Sequence, residues 1–335
     1  MKNKKYWIWN AVILIAIFFL TVWSIAREQN LALLPSALSG MRIEYAVIGA
    51  ALGMLYVLGE AFILKNMFHH EKRRVSFWCC ARYACTGFFF SAITPSATGG
   101  QPIEMYYMHR DGIPASTSAP MLLTTTILYK IVLVASGILF LGLGWGTLGG
   151  FLENSQWLFA LGFLVNFLMI VAMLLLLFKS ALVEKFLRWL FSLRLLRRYE
   201  NAHRKVMEFA AQYKEICALL LKHKKHAIGW MCISIGQRLC YLMVTYIVYL
   251  AFGLTGYNAL EIMLLQGVIA ISVDMLPTPG GMGVSEHLSL GIFRQVFGEN
   301  MILPATLAIR VLIFYLPVGI SGMVAAWSHF RGKRI

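Results

Sequence analysis

Eight ionisable side chains lie within or beside long apolar segments of this 335-residue chain. They are Glu60, Arg82, Glu104, Lys130, Arg238, Asp274, Glu286 and Arg310. An ionisable group at membrane depth is costly, so each is expected to pair with an opposite charge or to serve a function. The basic members also suit an anion, because a guanidinium group can donate two hydrogen bonds to one phosphate.

Two similar decapeptides follow apolar stretches of the chain. The first is PSATGGQPIE at 95–104 and the second is PTPGGMGVSE at 277–286. Each has a hydroxyl residue, a Gly-Gly pair and a glutamate nine residues after its first proline. Proline breaks a helix, and glycine adopts backbone conformations that are closed to other residues. Each decapeptide therefore predicts a break between two helices.

The helices after these breaks, at about 100–110 and 281–296, are expected to direct their N-termini at a shared cavity. A helix N-terminus carries partial positive charge and free N–H groups, both of which attract anions. Together with the nearby cations, the breaks predict a site for a phosphate-sized anion or headgroup. Its predicted residues are Arg238, Arg310, Lys130, Gly99, Gly100, Gly280, Gly281 and Gly283.

The acidic side chains leave several roles open. Glu104 and Glu286 lie early in the helices after the breaks, where each can cap the helix, pair with an arginine, or bind an amine or a proton. Asp274 and Glu60 can pair with the cations and hold the helices together. These four residues form the predicted acidic group for coupling or pairing.

Catalytic chemistry is weakly supported by the sequence. His287 is the histidine nearest to a motif, but Ser285, Glu286 and His287 are neighbours in sequence, and such residues do not face one another on a helix. No cofactor and no metal site is predicted, and the cysteines form no C-x-x-C pair. The sequence therefore predicts a protein that is not an enzyme.

The composition excludes a soluble globular protein. Apolar residues make up 59% of the chain and charged residues 13%, whereas soluble domains have about 45–50% and about 25%. The formal net charge of +15 lies in basic blocks between apolar runs. That pattern is typical of a multi-pass membrane protein with basic cytoplasmic loops, and it argues against a nucleic-acid partner.

Six apolar segments are long enough to cross a hydrocarbon core of about 30 Å as helices. They are 7–26, 44–64, 118–142, 157–178, 226–253 and 304–327. Two further stretches, 76–94 and 259–276, lead into the Pro/Gly motifs and predict re-entrant hairpins, although each is also long enough to cross fully. Lys and Arg are concentrated in 1–6, 65–74, 179–225 and the C-terminal tail, which predicts that both termini are cytoplasmic.

The motifs also predict an inverted repeat within a single integral membrane domain, 1–335. Repeat A covers 44–142 and repeat B covers 226–327, and each consists of a span, a broken hairpin and a span. Lys130 lies 35 residues after Pro95, and Arg310 lies 33 residues after Pro277. By the charge pattern, the two hairpins enter the membrane from opposite sides.

Three segments lie outside the repeats. Span 7–26 is expected to be peripheral, and span 157–178 connects the two halves. Segment 179–225 carries twelve basic and four acidic residues and predicts amphipathic helices on the inner leaflet. The predicted fold is thus an all-α polytopic membrane protein with about six full transmembrane helices and two re-entrant hairpins.

The two motifs resemble a known family. TPSATGGQP at 94–102 and LPTPGGMGVSE at 276–286 look like the hallmark segments of the lysylphosphatidylglycerol synthase transmembrane region, a flippase-like domain. The resemblance covers roughly 5–330. In two-part members it implies movement of aminoacylated phosphatidylglycerol between leaflets, next to a cytoplasmic domain that transfers the amino acid. No such domain is expected here, so the resemblance implies a stand-alone member that handles a lipid without synthase activity.

The favoured function is a flippase for an anionic or aminoacylated phospholipid, or for a lipid-linked phosphate, in the cytoplasmic membrane. The alternatives are a secondary transporter of a soluble anion and a membrane enzyme that acts on a lipid headgroup. The expected partners are membrane lipids, with a homo-oligomer and a separate lipid-modifying enzyme left open.

Overall fold

The computed structural model describes residues 42–152, 155–179, 185, 208, 211–212, 214–218, 224–274, 276, 278–281 and 283–330. These residues are predominantly helical and include no β-strand, which confirms the predicted all-α class.

Five helical segments are long and apolar enough to cross a membrane. They are Ile43–His70, Ala115–Leu152, Gln156–Phe178, His226–Ala251 and Ile302–His329. These segments confirm five of the six predicted spans. The sixth, 7–26, lies outside the described residues, as does most of the basic segment 179–225.

We number the helices in chain order. They are α1 (Ile43–His70), α2 (Phe77–Ile93), α3 (Gly100–Arg110), α4 (Ala115–Leu139), α5 (Gln156–Phe178), α6 (Lys224–Ala251), α7 (Ala259–Val273), α8 (Val284–Phe297), α9 (Ile302–Arg310) and α10 (Leu316–Phe330). A π-helical turn, Phe140–Gly144, leads from α4 into the short helical turns Trp145–Leu148 and Gly149–Leu152. A second π-helical turn, Val311–Tyr315, joins α9 to α10.

Side-chain caps fix where the first arm of each broken segment begins. The Ser76 hydroxyl accepts a hydrogen bond from the Cys79 N–H (3.2 Å) at the start of α2. At the start of α7, Asn258 and Glu261 cap each other's backbone N–H groups at 3.0 and 2.8 Å. Such caps satisfy donors that the first helical turn leaves free.

Both Pro/Gly motifs interrupt the helical run. They differ in which residues adopt the left-handed backbone conformation and in what the glycines are needed for. Between α7 and α8, Gly280 and Gly281 have φ of 58° and 66°, as expected for glycine. Between α2 and α3, the left-handed residues are Ser96 and Ala97 (φ 51° and 55°). Gly100 is needed there for close approach instead, because a methyl group on it would overlap the Ser91 hydroxyl.

Helices α1 and α6 pack against each other in antiparallel orientation. The Arg42 N–H donates to the Ala251 carbonyl (3.4 Å) near one end of the pair, and the Trp230 indole donates to Asn66 Oδ1 (2.7 Å) near the other. On α1, Gly53 allows a close contact with the π-helical turn after α9, since a methyl group there would overlap a backbone carbonyl oxygen. Small residues of this kind let membrane helices approach closely.

Two further contacts between the halves are equivalent, because in each the helix before a break packs on the last helix of the other half. Helix α2 packs against α10, and helix α7 packs against α4. The two breaks also contact each other, and the Ser96 hydroxyl donates to the Leu276 carbonyl (3.4 Å). The two motifs therefore meet between the halves.

Candidate functional site

Lys130 lies in a buried polar network that joins the two halves. Its ammonium group forms an ion pair with Asp274 at the end of α7 and donates to Asn166 Oδ1 on α5 (2.7 Å). The neighbouring Tyr129 hydroxyl donates to the other Asp274 oxygen (2.7 Å). A cation of the first half is thus held by an acid of the second.

Arg238 lies beside this network and has no carboxylate partner among the described residues. Its side chain is 4% exposed, and its Cζ lies 4.5 Å from the ring centre of Tyr129 and 5.3 Å from that of Tyr241. Its Nε and Nη2 atoms have no hydrogen-bond partner in the described part of the chain. Aromatic faces stabilise a cation, but they leave these N–H donors unused.

The gap around Arg238 is closed. It is lined by Tyr56, Tyr129, Val132, Ser234, Gln237 and Arg238, and it has no room for a water-sized molecule. A phosphate group would fit only if the helices around the gap moved apart.

Arg310 lies in a second buried network at the break between α7 and α8. Its Nε donates to Glu286 Oε1 (2.5 Å) and its Nη2 to the Gly280 carbonyl (3.3 Å). Glu286 Oε2 accepts from the Gly283 N–H and from the Ser285 hydroxyl, both at 2.8 Å. Glu286 therefore both caps α8 and pairs with an arginine, two of the roles that the sequence left open.

Glu60 and Glu104 are the two predicted acids that form no ion pair in the described residues. Glu104 on α3 is 3% exposed, and its Oε2 has no hydrogen-bond partner in the described residues. Glu60 on α1 accepts a hydrogen bond from the Thr125 hydroxyl (3.2 Å). The two carboxyl groups are close enough to interact electrostatically.

The protein itself uses several backbone donors at the breaks. The Gly99 N–H donates to the Thr94 hydroxyl (2.9 Å), and the Gly281 N–H donates to the Thr278 carbonyl (3.1 Å). In this arrangement an anion would have to displace these internal acceptors, as well as Glu286 from Gly283.

Two further residues named in the sequence analysis can be placed in the structure. Arg82, one of the eight ionisable residues, is largely buried and forms an ion pair with Asp111, because that carboxylate lies at the end of the neighbouring α3. Ser285 is buried, whereas His287 is exposed. These two residues therefore do not form a nucleophile–base pair.

A basic cavity of about 620 Å³ lies at the junction of α1 and α2. Its lining residues are Phe62, Lys65, Asn66, His69, Arg73, Arg74, Val75, Ser76 and Ile233. Arg73 contacts Glu71 (3.4 Å), but Lys65 and Arg74 have no acidic partner in the described residues. The sequence indicated these cations only as topology markers. The missed signal is that Arg73 and Arg74 closely precede the capped N-terminus of α2, a place that favours anions.

Comparison with known proteins identifies the family. The model of the lysylphosphatidylglycerol synthase TM region matches residues 8–321 of the 335. This family is a membrane domain associated with lipid handling of a flippase-like kind. No curated protein matches the chain. Since the match covers nearly the whole sequence and both Pro/Gly motifs, the chain belongs to the lysylphosphatidylglycerol synthase transmembrane-region family.

Proposed function

We propose that this protein moves a lipid with an anionic, phosphate-bearing headgroup between the leaflets of the cytoplasmic membrane. The observation that carries the proposal is Arg238, a buried guanidinium group with free donors and no carboxylate partner in the described residues. Leaving a buried charge unpaired costs several kcal/mol. An anionic headgroup that binds during transport would supply the missing acceptors.

The packing supports transport through an inverted repeat. The equivalent helices α1 and α6 run antiparallel, as the first helices of inverted repeats must. The first arm of each broken segment packs on the last helix of the other half, and the two breaks contact each other. Transporters of this design bind substrate where broken helices of the two repeats meet. We therefore propose that both broken segments are re-entrant hairpins.

We further propose that the headgroup first docks in the basic cavity between α1 and α2. Lys65 and Arg74, which have no acidic partner in the described residues, provide positive charge there, while Phe62 and Val75 provide an apolar rim for acyl chains. The basic segment 65–74 faces the cytoplasm by the positive-inside rule, with both termini on the same side. The closed gap at Arg238 must then widen for the headgroup to pass.

Replacing Arg238 by glutamine tests the central site. In vesicles with fluorescent phosphatidylglycerol, we expect lipid movement to slow by at least about tenfold, since losing one charge-assisted hydrogen bond costs about 1.5–3 kcal/mol. The tyrosine rings and the shape of the gap remain and an unpaired buried charge is removed, so the thermal unfolding temperature should not fall. The measurement is the rate at which a membrane-impermeant reductant gains access to the probe.

The control is Arg294→Gln, which removes an arginine that is 60% exposed. If Arg238→Gln moves phosphatidylglycerol as fast as this control, Arg238 does not bind the substrate. If wild-type vesicles take up inorganic phosphate but move no lipid, the protein is a carrier of soluble anions instead.

The basic cavity leads to a separate prediction. The double change Lys65→Gln/Arg74→Gln should weaken binding of short-chain phosphatidylglycerol by roughly 30-fold, because each cation near an anionic lipid contributes about 1 kcal/mol. Binding of phosphatidylcholine should change much less. Intrinsic tryptophan fluorescence can follow both titrations, and equal effects on the two lipids would contradict a headgroup site.

A further inference from the structure

The four acids predicted for coupling or pairing differ in whether a cation balances them. Asp274 pairs with Lys130, and Glu286 pairs with Arg310. Glu60 and Glu104 form no ion pair in the described part of the chain.

This difference comes from an exchange of partners between the two halves. Glu104 and Glu286 hold the same place in their motifs, and Lys130 and Arg310 follow at similar distances. Arg310 pairs with the glutamate of its own motif, but Lys130 reaches across to Asp274. Glu104 is thereby left without a cation from the part of the chain that the structure describes.

The surroundings of Glu104 hold its carboxyl group in place. A methyl group on Gly87 of α2 would overlap this carboxyl group, so the glycine makes room for it. Glu104 Oε2 accepts no hydrogen bond from the described residues, and the Thr125 hydroxyl serves Glu60 instead. Among the described residues, Glu60 is an ionisable side chain whose charge acts on Glu104.

The charged groups on α2 and α4, which pack near the two glutamates, bind other carboxylates. Arg82 and Tyr83 on α2 both bind Asp111. Lys130 on α4 is held by Asp274. Neither helix offers a cation to the two glutamates.

The charged and titratable groups on the other neighbouring elements also have partners other than Glu60 and Glu104. Arg110 on α3 donates to the Ser328 carbonyl (2.5 Å), and Arg238 on α6 lies against two tyrosine rings. His329 on α10 has an interaction of its own. Tyr315, in the π-helical turn before α10, interacts instead with Arg310 and Glu286.

A buried carboxylate without a cation is costly in a medium of low dielectric constant, and a bound proton removes that cost. We infer that Glu60 and Glu104 form a proton-binding site that couples lipid movement to proton movement. The coupling rests on the proposed transport function, whereas proton binding itself does not. In the coupled step the pair takes up one proton from one side and releases it to the other, with no other bond made or broken.

The experiment has two arms. In the first, vesicles with fluorescent phosphatidylglycerol receive an imposed pH gradient. With one proton per lipid, a gradient of about one pH unit should shift the steady-state leaflet ratio of the probe by up to about tenfold in the wild type. Glu104→Gln and Glu60→Gln should abolish this dependence on the gradient while lipid still moves. Glu299→Gln, which changes a carboxylate that is 72% exposed, should behave like the wild type.

The second arm uses infrared spectroscopy of the purified protein. A band from a buried protonated carboxyl group should be present at neutral pH and should be lost in Glu104→Gln. Its absence in the wild type overturns the proton site. If lipid moves but ignores the pH gradient, or follows a sodium gradient instead, proton coupling is wrong. If no lipid moves at all, the proposed transport function fails, and the infrared band alone decides whether the pair binds a proton.

Discussion

Replacing Arg310 by alanine is expected to destabilise the protein by about 3–5 kcal/mol, because the change leaves Glu286 buried without its cation. The same change frees the Gly280 carbonyl, which accepts a hydrogen bond from Arg310 Nη2 at 3.3 Å. Glu286 also caps α8 through the Gly283 N–H. The break and the start of α8 should therefore loosen together, and unfolding in mixed detergent micelles should show the loss.

Two further variants separate charge pairing from packing. The double variant Arg310→Met/Glu286→Gln removes both charges and should recover much of the lost stability, since a buried pair is often no more stable than an apolar replacement. Arg294→Ala breaks a pair in which the side chains are 60% and 72% exposed and whose atoms lie 3.6 Å apart. That change should cost less than about 1 kcal/mol. Equal costs for Arg310→Ala and Arg294→Ala would show that the buried pair contributes nothing special.

This prediction also separates Arg310 from Arg238. Both arginines have the same expected role when only the sequence is considered. In the structure Arg310 is held by Glu286, whereas Arg238 lies against tyrosine rings and has two donors without a partner in the described residues. Loss of Arg310 should therefore affect folding first, and loss of Arg238 should affect transport first.

The membrane spans could be predicted from the sequence because they depend on local properties. A continuous apolar run longer than the bilayer core is nearly sufficient to define a span. The ends were less certain, since α1 continues six residues past the predicted end at 64 to His70. A helix does not stop where the hydrocarbon core ends, so hydropathy alone does not fix its last turn.

The pairing of charges could not be predicted in this way. Lys130 and Asp274 are 144 residues apart, and the internal repeat would instead suggest Glu104 as the partner of Lys130. Which acid a lysine reaches depends on how helices from different halves pack.

The left-handed backbone conformation of two residues at the first break could not be predicted from the sequence either. Ser96 and Ala97 adopt that conformation because Gly99 and Gly100 lie where α3 starts against α2.

The second large effect is expected at Gly280. Its φ of 58° is a conformation that costs other residues about 1–2 kcal/mol. A methyl group there would also overlap the Phe314 ring, and overpacking adds about 1–3 kcal/mol. Gly280→Ala should therefore destabilise the protein by about 2–5 kcal/mol in total, as measured by unfolding in mixed micelles.

Gly281 provides the matched control for this prediction. Its φ of 66° is similar, but a methyl group there would make only an ordinary contact with Val273. Gly281→Ala should thus show the backbone cost alone, about 1–2 kcal/mol. Adding Phe314→Leu should reduce the cost of Gly280→Ala towards that value while leaving Gly281→Ala unchanged. If the second change rescues neither variant, or both equally, the steric contact with Phe314 does not explain the need for glycine. In that case the backbone conformation of the second break is sufficient to explain its Gly-Gly pair.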